Sequence, residues 1–174
     1  MAVPTTFAGS EATDVWGLTE NGRKRTGSDP RVLPAVVVYD ADLFAGLPSS
    51  LAVASGLNAV AHAIDSMWAP RVDPIDAALA MEGLRALRTG LLGVVAGDID
   101  ATEQTLYGSY LAAVAFASAG SGLHHKICHV LGGAFGLPTR ATHAIVLPHV
   151  LAFNAPFAAT ASARIADALG SDDA

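Results

Sequence analysis

Six histidines dominate the chemistry available to this chain, and their spacing matters more than their number. His62 follows Asn58 by four residues, and His129 follows His125 by four. Residues four apart on a helix share a face, one turn away from each other. Asn58, His62 and Asp65 therefore form a polar stripe, roughly opposite an apolar one, and His125 with His129 forms a second pair. His124, His125, His129, His143 and His149 all fall between residues 124 and 149. A lone histidine is most often a hydrogen-bonded core residue, but two spaced pairs on neighbouring helices favour a site. Imidazole suits metal ligation, proton transfer near neutral pH and hydrogen bonding to a polar substrate. A metal wants three or four converging His, Asp or Glu ligands, and Asn58 brings no negative charge. The constellation is metal-like but short of anions.

Other reactive side chains read more plainly. Cys128, the single cysteine, excludes an internal disulfide and reads as a small buried hydrophobe in an apolar stretch. Lys126 and Arg140 read as solvated surface cations. His149, just after Pro148, reads as a brace for the following helix.

The elements that must position these groups are mostly helices. Half of the 174 residues are apolar, aromatic residues are few, and alanine is abundant. Alanine has the best helix propensity, whereas strands favour β-branched and aromatic side chains. The first forty-odd residues differ: 3–7, 14–19 and 32–39 are β-rich, with Val36-Val37-Val38-Tyr39 the clearest strand, and Gly22, Gly27 and Pro30 punctuating turns. From Pro48 onward the pattern is helical. Ser49 and Ser50 are expected to cap a first helix through Trp68. A second follows Pro74 and fades at Gly90, and a third runs from Thr102 to about Gly120. Two more span 122–135 and 142–153, joined around Gly136-Leu137-Pro138, and a short one covers 158–169.

The net charge of −6 argues against a nucleic-acid binder. Arg23-Lys24-Arg25 reads as a solvated loop or an anion contact rather than a localisation signal. No basic start followed by an apolar core opens the chain, and the uncharged run 106–123 carries too many Ser, Gly and Tyr residues for a membrane span. A cytoplasmic location is expected.

Several segments resemble iron-containing alcohol dehydrogenases. Gly56-Leu57-Asn58-Ala59-Val60-Ala61-His62-Ala63-Ile64-Asp65 is similar to the family's Gly-x-Asp-Ala-x-x-His-Ala-Ile-Glu. Gly122-Leu123-His124-His125-Lys126-Ile127-Cys128-His129-Val130-Leu131-Gly132-Gly133 resembles Gly-x-x-His-x-x-x-His-x-x-Gly, and residues 142–149 continue it. Within that superfamily, Val15-Trp16-Gly17-Leu18-Thr19, residues 27–34, the paired His124-His125 and asparagine at 58 resemble the maleylacetate reductases. The resemblance covers nearly the whole chain.

It implies a mainly α chain: a dehydroquinate-synthase-like helical domain over residues 46–174, truncated at its C-terminus. Residues 1–45 would be a short β remnant of an N-terminal α/β nucleotide-binding domain. The implied activity is NAD(P)H-dependent reduction of maleylacetate to 3-oxoadipate in aromatic-compound catabolism, with NADH or NADPH as cofactor. His129, His125 and His62 are the implied catalytic residues, with His129 or His125 supplying the proton, and His143 and Asn58 the implied substrate contacts. Thr5, Thr6, Ser10 and Lys24 match nucleotide-contacting positions. The metal ligands of metal-dependent relatives would fall at Asn58, His62, His125 and Thr139, so no catalytic metal is expected. The partners implied are a small dicarboxylate and a homodimer or complementing chain, with neither nucleic acid nor membrane. The family's Gly-Gly-Gly-Ser turn for the pyrophosphate is not found, so the chain alone is expected to be inactive. The alternatives are half of a metal-dependent alcohol dehydrogenase, or an inert fragment or subunit awaiting a partner.

Overall fold

A computed structural model describes residues 1–20 and 23–171, leaving aside the side chains of Thr19, Arg23 and Lys24. It is mainly helical. Six helices follow a short two-stranded sheet: α1 Ser49–Ser66, α2 Pro74–Ala96, α3 Ala101–Ala119, α4 Leu123–Phe135, α5 Thr139–Asn154 and α6 Ala159–Leu169.

The sheet is an antiparallel hairpin of β1 Val15–Glu20 and β2 Arg23–Ser28, with Val15 opposite Ser28 and Trp16 opposite Gly27. Gly27 is therefore a strand residue, not a turn. A Cβ there would stand 2.6 Å from the Trp16 ring, so only glycine lets the indole lie across the ladder. The basic run expected in a loop lies in β2 instead, and the Gly22 turn falls outside the described residues. The strand expected at Val36–Tyr39 is reduced to one parallel bridge between Ala2 and Val37. Its two hydrogen bonds are Ala2 N–H to Val36 O and Val38 N–H to Ala2 O. A strand needs neighbours to satisfy its edges, and Ala2 supplies a single pair.

Phe7 anchors this head to the helices. It stacks on Phe44 with ring centroids 4.8 Å apart, and both pack against Ala52 of α1 and Leu106 of α3. The Phe7 N–H also donates to Ser55 Oγ of α1 at 3.2 Å.

The larger core lies among α1, α2, α3, α5 and α6, with Ile64, Leu84, Leu87 and Ile165 almost fully enclosed. α1 begins at its N-cap Pro48 without a side-chain cap, so Ser49 and Ser50 are helical residues rather than caps. α2 is capped by a reciprocal box between Asp73 and Asp76. It does not fade at Gly90 but continues to Ala96, stopping where Gly97 takes a left-handed φ of 84°. Gly90 faces α3, and a Cβ there would stand 2.7 Å from the Thr105 backbone nitrogen. Gly108 answers from α3, where a Cβ would come within 2.8 Å of Leu87 N. These glycines mark a close backbone crossing.

Candidate active site

Three helices bring five imidazoles together. His62 of α1 stacks on His125 of α4, with centroids 4.9 Å apart and planes 15° from parallel. Phe116 of α3 tilts against both rings, at 4.6 and 4.3 Å. His143 of α5 lies 4.9 Å from both His124 and His125, and His129 follows one turn beyond His125 at 6.2 Å. The stripe of Asn58, His62 and Asp65 is buried, facing α4 and the head rather than solvent.

Burial is the first cause of the electrostatics. It drives the His62 pKa well below the usual 6.5, and the neighbouring His125, His143, His124 and His129 lower it further. His124 is pushed down to about 4 by burial and by His125, with Asp65 pulling partly the other way. Both rings are neutral at pH 7.

Asp65 was recognised in the sequence only as part of a stripe, and its role is larger. It is fully buried, yet its Oδ2 accepts hydrogen bonds from Gly122 N–H at 2.9 Å, His125 N–H at 3.2 Å and the His125 ring Nδ1 at 2.8 Å. Oδ1 accepts from the Trp68 indole at 3.2 Å. Burial alone would raise its pKa, but the bonds and charge from His125, with Trp68, outweigh that and hold it below 3.8. Its spacing of three from His62 was the one available signal. The partner on α4 could not be read from it.

A cavity of about 220 Å³ opens against this cluster. Asn58, His62, His125, His129, His143 and Thr139 line it, joined by Ser10 from the head. Trp16 of the hairpin and Phe116 complete its walls, two contributors that the sequence did not suggest. Asn58 Nδ2 donates to Ala8 O at 3.5 Å, while Asn58 Oδ1, His62 Nδ1 and His125 Nε2 are buried without partners among the described residues. A second cleft of about 360 Å³ shares the His129 wall and holds Lys126 and Arg71. Thr5 and Thr6 do not line the histidine cavity, Arg140 and His149 are exposed on α5, and the Lys24 side chain lies outside the described residues. His149 thus sits inside α5, not at the start of a later helix. A wider cleft, about 830 Å³, lies between the head and α3 and has no histidine in its wall.

Cys128 is buried as expected, with its Sγ 3.7 Å from His124 Nε2. The same His124 Nε2 lies 2.9 Å from His143 Nδ1. These are the only three His, Cys, Asp or Glu donors among the described residues close enough to share an ion. None of positions 58, 62, 125 and 139 belongs to that group.

The sequence pattern of the Fe-containing alcohol dehydrogenase family, C-terminal, matches residues 52–174. The chain belongs to that family. Among relatives of the iron-containing alcohol dehydrogenase family, it is 51% identical to maleylacetate reductase 2 of Cupriavidus pinatubonensis, over 98% of this chain and 48% of that protein. It is 47% identical to the maleylacetate reductase of Burkholderia cepacia, over 98% of this chain and 49% of that protein. An iron-containing alcohol dehydrogenase from Corynebacterium glutamicum superposes with a TM-score of 0.93 at 61% identity, covering 98% of this chain and 48% of that one. Maleylacetate reductase from Rhizobium sp. superposes with a TM-score of 0.91 at 44% identity, covering 97% and 49%. The chain thus spans about half the length of the family members it matches. No helix among the described residues is long and apolar enough to cross a membrane.

Proposed function

We propose that this chain supplies the helical, substrate-handling half of an NAD(P)H-dependent reductase of maleylacetate, acting without a metal. One observation carries the reading. Asn58, His62, His125 and His129 converge on one cavity in a chain half identical to a named maleylacetate reductase. Residues 1–45 would be the end of the nucleotide-binding unit and residues 46–174 the helical unit.

A bound nicotinamide supplies hydride to one carbon of the substrate's double bond. The protein must then hold the substrate, exclude water and provide a proton for the adjacent carbon. Asn58 Oδ1, His62 Nδ1 and His125 Nε2 are buried polar atoms in want of hydrogen-bond partners, and a carboxamide or a hydrogen-bonding substrate fits them. Ser10 enters the same cavity from the head, where a cofactor contact is expected. Lys126 and Arg71 stand in the adjoining cleft and suit a carboxylate at the far end of a dicarboxylate. His129 touches both spaces, and His125 and His129 are the candidate proton donors.

A catalytic cation fits poorly. Asparagine and threonine stand at two of the four positions where metal-dependent relatives would place ligands, and neither brings charge. Thr139 is an exposed residue at the start of α5. No step is assigned to a metal.

The test joins this chain to the nucleotide-binding half of a close relative, in one polypeptide or as a complementing pair. The expected result is maleylacetate-dependent oxidation of NADH or NADPH that survives exhaustive chelation. A folded assembly that binds NADH but leaves maleylacetate untouched would overturn the assignment. Activity that disappears with a chelator and returns with iron or zinc would overturn its metal-free part.

A further inference from the structure

We propose that Asp65 is a positioning residue, holding the His125 ring so that its Nε2 is the atom that hands the proton to the substrate. The inference rests on the reductase reading above and specifies which imidazole serves it.

Asp65 has a structural task that is easily mistaken for the whole of its role. The N-cap of α4 is Gly122, which has no side chain with which to cap. Asp65 reaches over from α1 and accepts the N–H groups of Gly122 and His125, satisfying donors that the helix leaves open. Gly122 makes room for it, since a Cβ there would stand 2.4 Å from Asp65 Oδ1. Two backbone bonds complete that cap. The third bond, from His125 Nδ1 at 2.8 Å, adds nothing to it.

What the third bond does is fix the ring. An ionised carboxylate only accepts, so Nδ1 must carry hydrogen. A flipped ring would present a C–H to the carboxylate, and His62 and Phe116, in contact with each other, both pack against the imidazole. Nε2 is left at the opposite end of the ring, buried and without a partner among the described residues, in a side chain that forms the cavity wall. His125 thus carries a buried carboxylate on its ring. A carboxylate in this place orients an imidazole and balances its charge when both nitrogens are protonated, without taking the proton itself.

Hydride adds to one alkene carbon and the π pair moves onto its neighbour and the conjugated carbonyl. His125 donates as the imidazolium, with Nδ1–H kept on Asp65 and a second proton taken up from solvent at Nε2. That Nε2–H bond breaks, its electron pair stays on nitrogen, and the carbanionic carbon uses its own pair to form the new C–H bond. A proton taken up from solvent acid restores Nε2–H for the next turnover, and Asp65 stays ionised throughout.

The test has two arms. In the chain itself, 15N-histidine NMR should report the Nδ1–H tautomer at His125 with a slowly exchanging Nδ1 proton, and both signatures should disappear in Asp65→Asn. In the reconstituted enzyme, Asp65→Asn should lower kcat by about a hundredfold, with KM for both substrates within about threefold, and Asp65→Glu should recover a large part of the loss. His125→Gln should cost more turnover than His129→Gln. An Nε2–H tautomer in the unaltered chain would overturn the proposal, and that measurement needs no variant to fold. A folded Asp65→Asn enzyme with unchanged kcat would overturn it too, as would a larger loss from His129→Gln. Failure of the unaltered enzyme to reduce maleylacetate would instead strike the function, leaving the NMR result to stand on its own.

Discussion

Burying several imidazoles in one core makes the protein's response to acid a property of single residues. His62 and His124 are neutral in the folded chain because burial lowers their affinity for protons, whereas unfolding returns them to about 6.5. Below pH 6.5 the unfolded state binds more protons, so stability falls as pH falls. For His124 the window runs from 6.5 down to about 4, and its full contribution is about 3 kcal/mol at 1.36 kcal/mol per pH unit. His62 acts in the same direction. Asp65, held below 3.8, adds its loss only in stronger acid. Chemical-denaturation midpoints should therefore drop steadily between pH 7 and pH 5, and His124→Gln should show a shallower slope. The imidazole cluster was legible from type and spacing, because His62, His125, His129 and His143 sit at helical intervals that also bring them to the cavity. Asp65's bond to His125 was not legible, since it joins helices 60 residues apart and a carboxylate three places from a histidine is commonplace.

At the scale of elements, the α2–α3 crossing offers the sharpest test. Alanine improves on glycine inside a helix by about 1 kcal/mol, so propensity alone predicts that Gly90→Ala stabilises. Contact predicts the reverse: the new Cβ would press on the Thr105 backbone, and Gly108→Ala would press on Leu87 N. Backbone cannot swing aside as a side chain can, and overpacking of this kind costs about 1–3 kcal/mol or more. Both variants should lower the denaturation midpoint in equilibrium unfolding, and the pair should be less than additive because they meet at one crossing. The same contact explains why the end of α2 was misplaced in the sequence, where a mid-helix glycine and a terminating one look alike. All six helices were otherwise evident from apolar spacing and from prolines and glycines at their ends. The head was harder to read. A run such as Val36–Tyr39 carries strand composition, but whether a strand forms depends on neighbours elsewhere.

For the whole molecule, the comparisons set a quantitative expectation for ligand binding. The chain spans about half of the family members it matches, and of the expected nucleotide contacts Thr5, Thr6 and Ser10, Ser10 is the one that lines the histidine cavity. Its one Gly-Ser-Gly run, 120–122, joins α3 to α4, and the Gly122 N–H is already spent on Asp65. A phosphate cradle needs several free backbone N–H groups. Calorimetric titration of the chain alone with NADH or NADPH should show no saturable binding at micromolar concentration, and the nucleotide-binding half should bring affinity with it. The lone bridge between Ala2 and Val37 bears on how such a chain behaves in a tube. One rung between two short extended segments, flanked by exposed Val3, Val36 and Val38, is a template on which another strand can lay itself down. Opposing it is a net charge of −6, which salt screens. Ionic strength and protein concentration should then decide whether preparations stay clear or turn to gel, acting through three valines exposed around that one rung.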